Sequence, residues 1–215
     1  MSRIKETYKQ YGFLKFFKRV FKGFLRRIGI EINSYYFMIN DIDYEKQKGL
    51  FETKSLTGVK ELNYYDFLKG DKTEFTEKKL ARVRQRFEDN GYHAYGIIEN
   101  DRLVYSCWIS LNWLESHNKF IEGPLSENDC LLVDAYCAPE GRGRGFHNAM
   151  NSYRLMKASE FGKRRGVVII LSENTPAFKS QIKTGNRVLF KYYVAELWGR
   201  TYTNYFKNKT KAEVV

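Results

Sequence analysis

Cys137-Ala-Pro-Glu-Gly-Arg-Gly-Arg-Gly-Phe-His147 is the stretch that decides how this 215-residue chain folds. It joins an apolar, strand-like run (Leu131, Leu132, Val133, Ala135) to an amphipathic helix pattern that continues to Phe161. The strand breaks at Pro139, and the chain enters the helix through Gly141, Gly143 and Gly145. Glycines let the backbone turn so that several N–H groups point at one spot, and the helix N-terminus adds its partial positive charge there. Arg142 and Arg144 sharpen the preference for a phosphate or diphosphate. The helix carries apolar residues at 146, 149, 150, 153 and 156, a face suited to packing on a sheet.

Two familiar phosphate loops do not fit. A P-loop requires Lys-Ser/Thr after its last glycine, and none follows here. A dinucleotide fingerprint requires a third glycine where Asn148 stands. The stretch resembles the acyl-CoA-binding motif of the GNAT (Gcn5-related) N-acetyltransferases, Arg/Gln-x-x-Gly-x-Gly/Ala, preceded by Pro-Glu. Arg142 and Gly145 match its first two anchors, and Pro139-Glu140 sits correctly upstream. His147 replaces the final small residue, so a crowded cradle that keeps its backbone N–H is expected.

Downstream, Gly166 to Ser172 is a short continuous apolar run that reads as a buried parallel strand. The family pattern after it is Asn-x-x-Ala-x-x-x-Tyr-x-Lys-x-Gly-Phe. Asn174, Ala177, Lys183 and Gly185 agree with it, whereas Gln181 stands in place of the tyrosine and Asn186 in place of the phenylalanine. The resemblance covers roughly residues 128–198 and implies a GNAT acyltransferase fold: α/β, a mixed sheet with helices on both faces.

The remaining elements read in the same order. Ile30 to Ile39 is a candidate strand, and residues 41–58 read as a polar connection with short helical pieces. Val59 to Asn63 reads as the first strand of the acyltransferase core. Thr76 is a candidate N-cap for a helix carrying Leu80, Val83 and Phe87. Tyr92 to Ile98 and Arg102 to Leu111 read as a hairpin, and Arg187 to Trp198 with Thr201 to Phe206 as a second strand pair. The expected organisation is a basic amphipathic helix over 1–28, a connecting segment over 29–58, the acyltransferase domain over 59–206 and a basic tail over 207–215.

The net charge of +12 is unevenly placed. Residues 1–28 hold nine Lys/Arg against Glu6, a net of +8, which leaves +4 for the rest. Phe13, Phe17, Val20, Phe24 and Ile28 recur there at helical steps, with basic residues on much of the other face. Bulky aromatics opposite dense basic charge describe a helix lying in an anionic membrane surface. A helix docked on its own domain and a nucleic-acid arm are the alternatives; no known nucleic-acid module accompanies the charge. Cys107, Cys130 and Cys137 form no Cys-x-x-Cys pair and lie in apolar patterns, which suits reduced thiols and a cytoplasmic setting, peripheral at the membrane's inner face. The three histidines lack metal-ligand spacing, so no metal is expected. No apolar run is long enough for a transmembrane helix or a secretory signal.

The resemblance implies acetyl-CoA, or another acyl-CoA, as donor and a small-molecule amine as acceptor. Its diphosphate is expected on the N–H groups of Arg142, Gly143, Arg144, Gly145, Phe146 and His147, with the pantetheine along Tyr136 and Cys137 and Asn174 at the neighbouring helix start. An ammonium has no lone pair, so the amine needs a base tuned near neutrality or a water chain leading to one. Asp134 is the favoured base, and Tyr136, two residues on along the same face, is a candidate acid. Glutamine cannot supply an acidic proton, so Gln181 is expected to tolerate replacement. A membrane-surface helix suggests an acceptor kept near the membrane, such as an amino sugar carried on a nucleotide or lipid diphosphate in surface-polysaccharide synthesis. Transfer of long acyl chains onto an amino acid or lipid amine, and a CoA-binding module without catalysis, are the alternatives.

Overall fold

A computed structural model describes residues 20–54, 56–115 and 123–206. The elements run in the order α1 (20–27), β1 (Ile30–Asp41), α2 (Tyr44–Glu52), β2 (Val59–Glu61), α3 (Tyr64–Leu68), α4 (Glu77–Phe87), β3 (Tyr92–Glu99) and β4 (Arg102–Ser110). They continue with β5 (Trp113–Leu114), β6 (Gly123–Pro124), β7 (Asp129–Cys137), a 3-10 turn (Pro139–Gly141), α5 (Phe146–Glu160), β8 (Arg165–Leu171), α6 (Thr175–Lys183), β9 (Arg187–Leu197) and β10 (Arg200–Phe206). Eight strands form one sheet in the order β10-β9-β1-β8-β7-β4-β3-β2, while β5 and β6 pair apart from it. Residues 1–19, most of the expected basic helix, and the basic tail 207–215 lie outside the described residues.

Both faces of the sheet are covered, and β4 is buried along its length after Arg102. Along β4, Tyr105, Cys107 and Ile109 enter a core with Met150, Leu155 and Ala158 of α5. Trp108 points the other way, stacked on Phe67 of α3 at 5.3 Å and against Phe87 of α4 at 5.0 Å between ring centroids. Cross-face alternation with period two produces this division from one apolar run. On α5, burial extends beyond the expected stripe to Asn151, Ser152, Arg154, Leu155 and Ala158. Leu155 and Ala158 join the core under β4, Arg154 reaches the main chain of β4 and β7, and on the outer side Phe51 of α2 packs at 5.1 Å on Tyr153. Thr76 adopts an extended N-cap backbone at the start of α4 but forms no capping hydrogen bond.

Ile30 to Ile39, read as a candidate strand within the connecting segment, lies in β1, inside the sheet. β1 pairs with β8 from Tyr35–Leu171 to Asp41–Arg165, and with β9 from Ile30–Leu197 to Ile39–Arg187. Met38 and Ile39 are accordingly buried. Strand pairing is nonlocal, so residues 30–41 alone suggest a strand but do not say which strands flank it.

Gly96 of β3 marks a close approach. A Cβ there would lie 2.2 Å from the Tyr105 carbonyl oxygen and 2.6 Å from Leu62 Cδ1. Backbone cannot yield as a flexible side chain can. Gly96→Ala is therefore expected to destabilise the fold by about 1–3 kcal/mol, the usual range for overpacking. Urea unfolding should show a lower midpoint at unchanged slope; an unchanged midpoint would mean that β2 and β4 move apart freely.

Candidate active site

The site begins where two parallel strands part. β7 and β8 pair only at Asp129–Arg165, Cys130–Gly166 and Leu131–Val167. β7 then runs on to Cys137 held by β4 alone, opening a gap on its β8 side. Within that stretch the β4–β7 register slips between Ser106–Tyr136 and Trp108–Val133. Asp134 and Ala135 thus stand opposite the single residue Cys107, a β-bulge, and Asp134 has a left-handed φ of 51°.

After β7 the chain turns through the 3-10 segment into α5. Gly143 (φ 80°) and Gly145 (φ 79°) adopt left-handed backbone that side chains resist. A Cβ at either would meet nothing within 4 Å, so conformation and not space demands these glycines. Gly145 is the N-cap of α5 and offers no capping side chain. The main-chain N–H groups of residues 143–148 find no partner among the described residues. They form a cradle of free donors at the positive end of a fifteen-residue helix.

This cradle floors a cleft of about 790 Å³ between α5 and α6, lined among others by Cys137, Arg142, His147, Asn174, Lys179 and Lys183. Gly143, Gly145 and Phe146 also line it, so the cradle residues and Asn174 come together as expected. Asn174 caps α6, accepting from the Ala177 N–H at 3.2 Å, and Ser180 hydrogen-bonds Asn148 across the two helices. The Arg142 guanidinium has no ion-pair or hydrogen-bond partner among the described residues, whereas its main-chain N–H, expected in the cradle, is taken by the Pro139 carbonyl at 3.2 Å. Lys183, a residue of the downstream motif, and Lys179, which the motif did not single out, add positive charge.

Three expected site residues sit elsewhere. Arg144 turns out of the cleft, gripping Glu99 at the β3–β4 tip through two 2.7 Å bonds and lying 4.4 Å over the Phe146 ring. It braces the cradle from outside and offers only its main chain to an anion. Asp134 and Tyr136 share a side of β7 as expected, but that side faces α4. Asp134 Oδ2 lies 2.8 Å from Arg86 Nη1, and Oδ1 lies 3.3 Å from Lys79 Nζ, which is 6.0 Å from the Tyr136 ring. Burial pushes the Asp134 carboxyl up, but the charges of Lys79 and Arg86 and their hydrogen bonds outweigh it and hold the group below its usual range. A base tuned near neutrality does not follow, and Asp134 instead anchors the bulge. The Tyr136 hydroxyl is buried without a partner among the described residues, and burial raises its pKa.

His147 does not crowd the cradle. Its ring turns inward, with Nδ1 2.9 Å from the Tyr105 hydroxyl and Nε2 buried without a partner. Burial first, then the charge of Arg154, push its pKa down to about 4. Gln181 is likewise structural: its Oε1 accepts from Asn186 Nδ2 at 2.8 Å and it is buried. Asn186 Nδ2 also donates to the Gln181 carbonyl at 3.1 Å and to Thr184 Oγ1 at 3.0 Å, so truncating Gln181 removes buried packing at the end of α6 but leaves that amide partnered. Arg154 went unnoticed in the sequence, a single cation within an otherwise ordinary helix face. It is buried, donating from Nη1 to the carbonyls of Trp108 (3.1 Å) and Val133 (3.4 Å) and from Nη2 to Asn151.

The neutral His147 ties stability to pH. An unfolded histidine titrates near 6.5, whereas this one resists protonation until about 4. Between those values the unfolded state binds the proton that the fold refuses, so stability falls as pH drops from about 6.5 to 4. The loss approaches about 3 kcal/mol at the acid end. His147→Gln, which keeps a polar side chain but does not titrate, should flatten that fall in a series of melting curves between pH 7 and 4.5. An equally steep fall in the variant would assign the effect to other groups.

No protein-family model matches the sequence, and no curated protein matches it. Solved structures match by fold. A GNAT-family acetyltransferase structure from Novosphingobium aromaticivorans superposes with a TM-score of 0.52 at 14% identity, over 78% of this chain and 66% of that one. A conserved protein of unknown function from Staphylococcus epidermidis gives 0.53 at 13% identity, over 82% and 66%. The GCN5-related glucosamine N-acetyltransferase region of a fungal multi-domain GH3 beta-N-acetylglucosaminidase gives 0.53 at 14% identity, over 83% of this chain and 23% of that one. The chain thus spans just under two thirds of the first two proteins, 66% of each, and a smaller share of the third. At such identities the likeness is one of fold. A mixed sheet with helices on both faces, a splayed parallel pair and a superposable architecture make this the GNAT acyltransferase fold.

Proposed function

We propose that the protein is an acyl-CoA-dependent N-acyltransferase, with acetyl-CoA as donor and the amine of an amino sugar as acceptor. The observation that carries this reading is the cradle of free N–H groups over residues 143–148, placed where β7 and β8 part. A diphosphate fits those donors, with Arg142, Lys179 and Lys183 as counter-charge and Asn174 at the rim. Pantetheine then enters the gap as an extended chain beside Tyr136 and Cys137. This brings the thioester to the bulge at Asp134–Ala135, whose main-chain groups stand outside the regular ladder.

The amine nitrogen adds to the thioester carbonyl, the C–S bond breaks, CoA leaves as the thiolate and the nitrogen loses a proton. Oriented donors stabilise the charge that develops on the carbonyl oxygen. The unpartnered Tyr136 hydroxyl, kept protonated by its raised pKa, is proposed to donate a hydrogen bond to the acyl group or leaving sulfur. With Asp134 held by Arg86 and Lys79, the amine proton leaves through water.

On the α4 side a second cleft, of about 620 Å³, is lined by Arg86, Asp89, Tyr92, Trp113 and Glu115. Arg86 links it to the bulge, its Nη2 reaching Glu115 at 2.5 Å while Nη1 holds Asp134. Carboxylates suit a cationic amine, and the half-exposed Trp113 offers a plate for a sugar ring. Trp108 and Tyr192, by contrast, are fully buried core. The basic segment 1–28 is proposed to hold the protein at an anionic membrane surface on the cytoplasmic side, where amino sugars on nucleotide or lipid diphosphates are found.

The test is release of free CoA from acetyl-CoA across a panel of hexosamines, their nucleotide-diphosphate forms, amino acids and polyamines. Hexosamine turnover is expected. CoA binding without release on any amine would make the protein a binding module, and a preference for long acyl chains would move the acceptor class. Tyr136→Phe should lower kcat by roughly 10–100-fold, the worth of a hydrogen bond to a charged group, with little change in KM for acetyl-CoA. Asp134→Asn should leave the acidic limb of the pH–rate profile in place; a lost limb would restore Asp134 as the base.

A further inference from the structure

We infer that the turn between β9 and β10 and the end of α1 form one lipid-facing surface, so that an anionic bilayer touches the edge of the sheet as well as the N-terminal segment. The inference rests on the membrane reading above and extends it to residues far from the N-terminus in sequence.

Val20, Phe24 and Ile28 recur at four-residue steps, with Phe21 beside them, and all four are more than two-fifths exposed. A soluble helix would bury such a stripe. The stripe leads directly to Trp198, whose N–H donates to the Gly29 carbonyl at 2.8 Å. Trp198 is 74% exposed and holds a left-handed φ of 47°, a conformation costly for a bulky residue. A strained, exposed tryptophan at a hairpin tip is a feature that packing within the chain does not explain.

The register extends the surface. Ile32 of β1 aligns with Ala195 of β9, which aligns with Tyr202 of β10, so all three share one face. Ile32 and Tyr202 are each about half exposed there. Arg200 lies on the same face, aligned through Leu197 with Ile30. Glu31 and Glu196 pair with each other one step along and project to the opposite face. Arg27 and Arg200 have no ion-pair partner among the described residues, whereas Lys22 and Arg26 are bound by Glu173 and Glu31. Tryptophan and tyrosine beside free arginines, with the nearest strand carboxylates turned away, match the interface of an anionic bilayer better than a protein partner of mixed charge.

The full chain is tested by flotation with phosphatidylcholine vesicles, with and without phosphatidylglycerol, and by quenching of tryptophan fluorescence with brominated lipid. The substitution is Trp198→Gly, since glycine accepts the left-handed backbone and should leave the fold intact. The wild type should float with anionic vesicles and be quenched. Trp198→Gly should bind about tenfold more weakly, the worth of withdrawing one aromatic side chain from an apolar environment, and lose most of the quenching. Equal binding by both proteins without quenching of Trp198 would overturn the inference while leaving the N-terminal anchor standing. No flotation of the wild type would overturn both. A concentration-dependent dimer that Trp198→Gly abolishes, without vesicle binding, would assign the face to a second copy of the chain.

Discussion

A buried arginine with no carboxylate beside it holds the centre of this fold. Arg154 reaches from α5 beneath the sheet, and both Nη atoms of its guanidinium are bonded, to the carbonyls of Trp108 and Val133 and to Asn151, while Nε is buried without a partner among the described residues. Those two carbonyls belong to the last regular pair before the β4–β7 register slips. Taking a charge out of water costs several kcal/mol unless its hydrogen bonds are well made, so the bonds to both strands are a condition of the fold. The same cation helps keep His147 neutral, since a second positive charge in that interior is disfavoured. α5 is thereby fixed to the two strands that bear the bulge, and the cradle at its N-terminus is fixed with it.

The bulge divides the site into two chemically distinct sides. Toward α5 and α6 lie free N–H donors, Arg142 and two lysines, a setting for a polyanion. Toward α4 lie Asp134, Lys79, Arg86 and Glu115 in mutual ion pairs, with the unpartnered Tyr136 hydroxyl among them. β7 is the wall between the sides, and its parting from β8 is the passage through it. A thioester lying in that passage is presented to an amine from the α4 side while its diphosphate remains on the other. Arg144 and Glu99 reinforce the wall by tying the β3–β4 tip to the cradle, as does the 3.3 Å contact of Arg102 with Glu140.

Much of this was legible in residues 137–147, because left-handed glycines and a helix start are local demands that sequence expresses directly. The hairpin of β3 and β4 was legible for the same reason: Asn100 and Asp101 take the two left-handed positions of its turn. What escaped was nonlocal. β1 reads as a candidate strand, but its place between β8 and β9 is set by partners far along the chain. Asp134 reads as a free carboxylate until α4, some fifty residues earlier, brings Lys79 and Arg86 to it. His147 was expected to fill the cradle because its side-chain direction depends on Tyr105, a partner in a different strand. Gln181 fits the same pattern, its role being set by Asn186 beyond the helix end.

The central claim is that the main-chain donors of residues 143–148 bind the diphosphate of CoA, and titration calorimetry tests it most directly. CoA should bind the wild-type protein and raise its melting temperature, since the ligand contacts only the folded state. Gly145→Glu should abolish the binding heat, because the cradle needs the left-handed backbone at that position and tolerates no negative charge there. CoA binding that survives Gly145→Glu undiminished, in a variant that still folds, would contradict the account.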